Sequence, residues 1–429
     1  MDKLPGRAVE PVETKPLTLS SLRGPALDEV DFPDVKLLKN GEVRVLATAE
    51  NVAALLSSCG ISVCWDVHHK RLRAINVRSV GHDENDYDMV RALLESEAAR
   101  HGLPAVAVSR FLAPLARLSL SNPPLDYIKN LPAGGVSDPI GQLIEGAGLE
   151  PPEWARVALN RWLIQACAAT DFCEHAVSGA RPEYGYVLTL VGAQGIAKTS
   201  LLYHLIPEPI REYGSFGRTL DPSNKDSKIA ATSNWLIELG ELDSTFKKSD
   251  IAAMKAFLTD QCDEIRKPYA YEATRSARST VFAATVNQPK FLVDDTGNRR
   301  FWPVTVTRRF EWPQGLAEAI WAEAWAMYTG GDQWWLTPGE EAMHAKVVYG
   351  FEDQPMRERL LDVYDFDATG RADWQTSTEI LEEIGWPNTN RSGPTELGKQ
   401  LKNLGIEKGK GRRYGMPPMR NPSATSLRL

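Results

Sequence analysis

Residues 191–200 read VGAQGIAKTS, which holds the parts needed to grip a chain of phosphates. Glycines let backbone N–H groups turn inward around an anion, a lysine reaches the outer phosphates, and the hydroxyl beside it can ligate Mg²⁺. All of this sits at a helix N-terminus whose dipole favours negative charge. Gly192, Ala193, Gln194, Gly195, Ile196, Ala197, Lys198, Thr199 and Ser200 are the expected nucleotide-binding residues, with ATP and Mg²⁺ as cofactors and Thr199 on the metal. Ala197 stands where a second glycine is expected. If its backbone is left-handed the cost is about 1–2 kcal/mol, far less than loss of the lysine charge, so binding is expected to survive.

A phosphate loop alone does not name a reaction. Further along, NWLIELGELDS is a short apolar strand ending in Glu238, with Glu241 three positions later. One carboxylate at such a strand end can hold Mg²⁺ or its water shell, and a second can polarise the attacking water. Glu238 is the expected metal-side acid, and the base stays open between the two. The strand TVFAATVN ends in Asn287, an uncharged amide suited to orienting a water or a γ-phosphate oxygen. In DDTGNRRFWPVTV, Arg299 and Arg300 sit on a turn before an apolar strand. A guanidinium offered to a neighbouring subunit's γ-phosphate would stabilise the transition state and make hydrolysis depend on assembly; a paired-arginine surface turn is the plainer reading. Arg266, Lys267, Tyr269, Tyr271, Arg275 and Arg278 interleave cations with rings on an expected hairpin, which is either a contact for DNA phosphates and bases or a solvated ribbon.

GAQGIAKTS, WLIELGEL, MKAFLTDQCDEIRKPY, AATVNQPKFL and TGNRRFWPV, in this order over residues 154–306, resemble the motif series of the virulence-associated E family of phage and pathogenicity-island proteins. That resemblance implies a relation to superfamily 3 helicases and a P-loop core of AAA+ type. It also implies Lys198 and Thr199 at the phosphates and Mg²⁺, Glu238 and Glu241 as the acidic pair, Asn287 as sensor, and Arg299 or Arg300 as the finger acting in trans. The chain departs from the pattern in two places: Ala197 replaces a glycine, and Leu239 and Gly240 separate acids that are adjacent in many AAA+ proteins. Family members often carry a primase module ahead of the ATPase; residues 1–150 show no cluster of metal-binding acids here, and none is expected.

The elements that must position these residues are legible in outline. YVLTL is a compact strand entering the loop and TSLLYHLI a helix leaving it, while PPEWARVALNRWLIQACAAT is a helical collar just upstream. The expected organisation is a Pro-rich disordered tail over 1–34, a small α/β module over 35–132, the collar over 133–180, the P-loop ATPase core over 181–335, and an acidic linker with a winged-helix-like domain over 336–429. Within the last, TSTEILEEIGWPNTNRSGPTELGKQLKNLG reads as two helices followed by a basic hairpin. Lys399, Lys402, Lys408, Lys410, Arg412 and Arg413 are the expected phosphate contacts; a flexible basic tail is the alternative. After residue 390 the chain carries nine Lys or Arg against two acids.

Composition bounds the rest. With 429 residues the chain suits two or three domains, and a formal charge of −7 argues against a uniformly basic coat. Five cysteines without a C-x-x-C pair fit buried thiols better than a disulfide framework or a zinc site. His68 and His69, read as neighbours on a strand, point to opposite faces and do not suit one metal ion. No secretory signal and no membrane span is expected, which points to a bacterial host cytoplasm. The leading expectation is an ATP-driven helicase or translocase acting as a hexameric ring on single-stranded or forked DNA in the replication of a mobile element. A nucleotide-gated DNA-binding regulator and a monomeric small-molecule P-loop kinase, with the arginines as a lid, are the alternatives.

Overall fold

The computed structural model describes residues 31–75, 86–132, 134–172, 185–221, 223–240, 248–260, 262–265, 274–288, 290–292, 298–351, 355–366, 368, 373–386, 393–406, 408–409 and 413–419. Contacts divide the chain into residues 1–287 with 299–345 and residues 288–298 with 346–429.

The first unit opens with a hairpin of β1 (Val35–Leu37) and β2 (Val43–Val45). Thr48 then caps α1 (Ala49–Ser58), its side chain accepting from the Asn51 N–H, as a hydroxyl at that position commonly does. β3 (Ser62–Asp66), β4 (Arg71–Ile75) and the short β5 (Leu120–Ser121) form a sheet in the order β4-β3-β5. α2 (Asp86–Arg100) and α3 (Val106–Ala116) pack with α1 around Val52, Leu55, Leu94, Val108 and Leu112. Residues 1–30 of the expected tail lie outside the described residues. Its last four positions are not tail: Phe32 is buried among α1–α3, and Asp34 N–H donates to Asn51 Oδ1 at 3.0 Å.

α4 (Pro123–Lys129), α5 (Pro139–Ala147), β6 (Leu149–Glu150) and the 21-residue α6 (Pro152–Phe172) lead to the main sheet. There follow β7 (Val187–Val191), α7 (Lys198–Leu205), β8 (Gly214–Arg218), α8 (Lys225–Ala230), β9 (Leu236–Leu239), α9 (Lys248–Thr259), the hairpin β10 (Cys262–Ile265) with β11 (Thr274–Ala277), β12 (Val281–Val286), β13 (Phe301–Val306), α10 (Leu316–Thr329) and α11 (Pro338–Tyr349). The main sheet runs β6-β13-β7-β12-β9-β8, all parallel except β6. β7, β9 and β12 are buried along their whole length, as strands covered on both faces must be. The fold is α/β. Trp154 and Trp162 of α6 donate their indole N–H to Pro303 O and Phe282 O, both at 2.8 Å, pinning that helix to β13 and β12.

The second unit has its own core. α12 (Pro355–Val363), β14 (Asp373–Thr376), α13 (Ser377–Glu383), α14 (Gly393–Asn403) and β15 (Arg413–Met416) enclose Met356, Leu360, Ile380, Leu397, Leu401 and Met416. Three expectations are corrected here. Residues 336–345 belong to the first unit, where Arg161 meets Glu340 at 2.9 Å and His344 Nε2 lies 2.8 Å from Phe301 O, so the second begins at 346. The acidic stretch is not merely a linker, because α12 lies in it and buries Met356 and Leu360. The basic strand β15 pairs antiparallel with β14, a strand ahead of both helices that the sequence reading did not contain.

The histidine pair is corrected too: it lies in the turn after β3 and not on a strand. His68 Nε2 is 3.0 Å from Asn122 Oδ1 and 2.9 Å from Thr170 Oγ1, while His69 Nδ1 is 3.2 Å from Asp66 Oδ2. No group of three or more His, Cys, Asp or Glu among the described residues is arranged to hold a metal ion. No helix among them is long and apolar enough to cross a membrane.

Burial lowers the His68 pKa to about 4, against the opposing pull of the Asp66 charge and the Asn122 hydrogen bond, and burial lowers that of His344 as well. The unfolded chain therefore takes up protons near pH 6.5 that the folded chain refuses, so stability is complete above that pH and falls as pH drops toward 4. For His68 the loss over that window is about 3 kcal/mol. Chemical denaturation at pH 7, 6 and 5 should show the midpoint falling with pH, and His68→Gln should flatten the trend; a midpoint independent of pH contradicts this account.

Candidate functional site

Three adjacent parallel strands bring the candidate residues to one edge. β7 ends at Val191 and continues through residues 192–197 into α7; β12 ends at Val286 beside it, and β9 follows with Glu238. Register sets Leu190 opposite Thr285 and Ala283 opposite Glu238. Among the parallel strands β7 comes first in the chain, yet it lies between the last two, β12 and β13. In open α/β sheets the carboxyl edge at such a reversal forms the ligand crevice.

The loop's conformation explains its glycines and its exception. A Cβ at Gly192 would lie 2.6 Å from Val306 O, so no side chain fits where the loop passes β13. Gly195 has φ +84°, a left-handed conformation natural to glycine. Ala197 is also left-handed, at φ 69° and ψ 36°, and serves as the N-cap of α7; its carbonyl accepts from Leu201 N–H at 2.9 Å. The condition under which the alanine costs about 1–2 kcal/mol is thus realised.

Lys198 folds back over this loop. Its Nζ donates to Gly192 O (2.8 Å), Ala193 O (3.0 Å) and Asn287 Oδ1 (2.9 Å), and the side chain is buried. Glu238 is fully buried: Oε1 accepts from Thr199 Oγ1 (3.0 Å) and Thr285 Oγ1 (2.5 Å), and Oε2 accepts from Gly217 N–H (2.6 Å). A buried carboxylate requires such donors. The Thr199 hydroxyl and the Glu238 carboxylate together offer hard oxygens of the kind Mg²⁺ takes, directly or through its waters.

Lys198, Thr199, Glu238 and Asn287 therefore come together around the loop of residues 192–197, which carries Ala193, Gln194 and Ile196, with Ser200 following on α7. Arg299 and Arg300 do not join them. They form the short 3-10 turn just before β13, and β13 runs parallel to β7 with Phe301 opposite Val187. The arginines thus lie at the amino edge of the sheet, a strand length of about 15 Å from the loop at the carboxyl edge. There they border a cavity of ≈ 410 Å³ with Tyr186, Glu341 and His344.

Glu241, Arg266, Lys267, Tyr269, Lys410 and Arg412 lie outside the described residues. The hairpin expected around the first basic group is present as β10 and β11, with Arg275 opposite Glu264. Arg278 is not a hairpin phosphate contact: it is 2% exposed, donates to Phe257 O at 2.7 Å and lies 4.5 Å from the Phe257 ring centre. In the second unit Lys399 and Lys402 are exposed on α14, and Arg413 is exposed at the start of β15.

The sequence reading missed Thr285 and Gly217, both of which touch Glu238. Thr285 had a signal, a hydroxyl within a wholly buried strand two positions before Asn287. Gly217 had none, because only the pairing of β8 with β9 brings it near the carboxylate.

Residues 142–351 match the family model of the virulence-associated protein E-like domain. Three apo structures of the NrS-1 C-terminal region are similar at 13% identity; each similarity covers 86% of this chain and 98–99% of that one, with TM-scores of 0.43–0.44. No curated protein matches.

Gly192 and Ala197 should respond oppositely to one methyl group. Gly192→Ala drives a Cβ against Val306 O and is expected to destabilise the chain by about 1–3 kcal/mol. Ala197→Gly removes left-handed strain and should not lower the melting temperature. Thermal unfolding of both variants checks the loop geometry, which is wrong if Gly192→Ala melts with the wild type.

Proposed function

This chain belongs to the virulence-associated protein E-like family through residues 142–351, and on that premise we propose that it is an ATP-dependent DNA helicase or translocase of the superfamily 3 type, built on a P-loop AAA+ core. It acts in the replication of a phage or other mobile element, in the bacterial host cytoplasm. The observation that carries this reading is the meeting of Lys198, Thr199, Glu238 and Asn287 at one carboxyl edge, with Arg299 and Arg300 at the other.

In this reading the backbone N–H groups of residues 192–197 and the N-terminus of α7 receive the phosphates of ATP. Lys198 exchanges its loop carbonyls for β- and γ-phosphate oxygens, which are stronger, charged partners. Thr199 and Glu238 would hold Mg²⁺, which would draw charge from the phosphates; Asn287, released by Lys198, would orient the attacking water or the γ-phosphate, with Glu241 as the second acid.

Arg299 and Arg300 are too far from their own loop to serve it, which favours a trans-acting finger and disfavours the small-molecule kinase, whose lid would close on the same chain. A homo-oligomeric ring, with six copies as the expected number, supplies the neighbour. The β10–β11 hairpins would grip single-stranded or forked DNA through Arg266, Lys267, Tyr269 and Arg275, and the second unit would add Lys399, Lys402, Lys410, Arg412 and Arg413. The exposed lysines of α14 also favour a second reading, a nucleotide-gated DNA-binding regulator without unwinding activity; strand separation on a forked substrate discriminates the two.

ATP hydrolysis by the assembled chain should be measurable and should rise with single-stranded DNA; no turnover in either condition sinks the proposal. Lys198→Ala should lower kcat by about 10³-fold while leaving DNA binding largely intact. Because the finger is assigned to the neighbour, mixing Lys198→Ala with the double variant Arg299→Ala/Arg300→Ala should recover part of the turnover that each lacks alone, whereas a finger acting within one chain predicts no recovery.

A further inference from the structure

The N-terminal module carries no chemical signature in its sequence, yet a buried polar bridge joins it to the core. Asp66, the last residue of β3, is 1% exposed. Its Oδ1 accepts from the backbone N–H of His68 (3.0 Å) and His69 (2.9 Å), and its Oδ2 accepts from His69 Nδ1 (3.2 Å) and the Tyr213 hydroxyl (2.7 Å). The same hydroxyl accepts from Arg73 Nη1 at 2.7 Å, and the Tyr213 ring stacks on His69 with 4.5 Å between centroids. Burial acting alone would raise the Asp66 pKa, but the hydrogen bond and charge of His69, with the Tyr213 hydroxyl, hold it at about 2. Burial and the neighbouring Asp66 push Tyr213 upward, so the phenol keeps the proton it donates.

Tyr213 immediately precedes β8, and its carbonyl accepts from Trp235 N–H at 3.0 Å, which ties it to the entry of β9. β8 then pairs with β9 through Gly214 opposite Leu236 and Ser215 opposite Ile237. At the next step Phe216 and Gly217 together face the single residue Glu238, before Arg218 resumes the register opposite Leu239. Such a bulge re-aims backbone groups. Here Gly217, at φ +64°, turns its N–H onto Glu238 Oε2 at 2.6 Å. The anchor on Tyr213, just ahead of the strand, and the donor on Gly217 within it are four residues apart, about 13 Å of extended chain at most.

We infer that the N-terminal module is a positioning element for Glu238: the Asp66–Tyr213 hydrogen bond fixes the start of β8, and the Gly217 bulge delivers that position to the carboxylate. Tyr213 and Gly217 are positioning residues in this account, not catalytic ones. The inference rests on the ATP-hydrolysing reading above. It gives residues 35–132 a role that needs no chemistry of their own, because a carboxylate displaced by a fraction of an ångström loses alignment with metal and water while the phosphates remain bound.

The test is steady-state ATPase kinetics of the full chain as wild type, Tyr213→Phe and Gly217→Ala, with melting temperatures measured alongside. Tyr213→Phe removes one oxygen and keeps the stacked ring. Gly217→Ala meets no atom within 4 Å but strains the left-handed backbone. Both should lower kcat by about tenfold while KM for ATP stays within about twofold. A merely structural contribution would lower the melting temperature and leave kcat of the folded protein unchanged. If the wild type turns over and both variants keep its kcat, the positioning role is overturned and the hydrolytic reading stands. If the wild type does not turn over, the hydrolytic reading fails and takes the positioning role with it. Should Tyr213→Phe not fold, Asp66→Asn, which weakens the same bond from the module's side, takes its place, and an unchanged kcat in that variant overturns the positioning role.

Discussion

A carboxylate with no exposed surface has to be surrounded by donors, and the candidate site is organised around how Glu238 meets that demand. Leaving such a charge unsatisfied costs several kcal/mol, more than the whole strain of the loop beside it. Its three donors come from three directions in the chain: Thr199 from α7, Thr285 from β12 and Gly217 from the bulge of β8. Each fixes one element against the β9 strand that carries the acid. The loop of residues 192–197, the helix behind it and the second strand along are thereby held in one arrangement, and the Lys198 ammonium adds a fourth tie by joining that loop to Asn287. Among the described residues the three donors to Glu238 are neutral.

A parallel sheet also separates the two ends of its strands by the full strand length. The site occupies the carboxyl edge, while Arg299 and Arg300 enter β13 from the amino edge. No side-chain rotation bridges a distance of about 15 Å, since an extended arginine spans roughly half of it. Within one copy, Arg299 and Arg300 therefore do not reach the loop.

The loop was legible in the sequence because its chemistry is local: the residues that turn the backbone, supply the ammonium and start the helix lie within ten consecutive positions, and a strand and a helix flank them in the order their apolar patterns announce. Glu238 and Asn287 were legible for a related reason, each being a polar residue at the end of a short apolar run. What the sequence withheld depends on pairing between distant segments. Gly217 approaches Glu238 only because β8 lies beside β9 with two residues opposite one, and no periodicity encodes a bulge. β14 escaped notice because DWQT has neither length nor alternation until β15 pairs with it. Arg278 misled because its charge suggests solvent, whereas the Phe257 carbonyl and ring satisfy it in the interior. His68 and His69 misled through the strand pattern around them; the chain had already turned after Asp66, and the turn is made by the carboxylate accepting both of their backbone N–H groups.

The tryptophans supply the rigidity these placements require. Trp154, Trp162, Trp235 and Trp321 are each buried, and each donates its indole N–H to a backbone carbonyl of another element: Pro303, Phe282, Ala166 and Leu205. Each of these four indoles places its one donor, so each ring is fixed in rotation as well as in position. Two of these bonds join α6 to β13 and β12, one returns from the β9 entry to α6, and one joins α10 to the end of α7. Gln165 of α6 adds a two-way clamp on the Tyr186 backbone, donating to its carbonyl at 2.9 Å and accepting from its N–H at 3.2 Å just before β7. The strand that feeds the loop is therefore held at its entry by α6, and the helix that leaves the loop is held at its far end by α10. Between those anchors the strained backbone at Ala197 has no slack through which to relax, which is why an alanine can be kept in a conformation that would otherwise favour glycine.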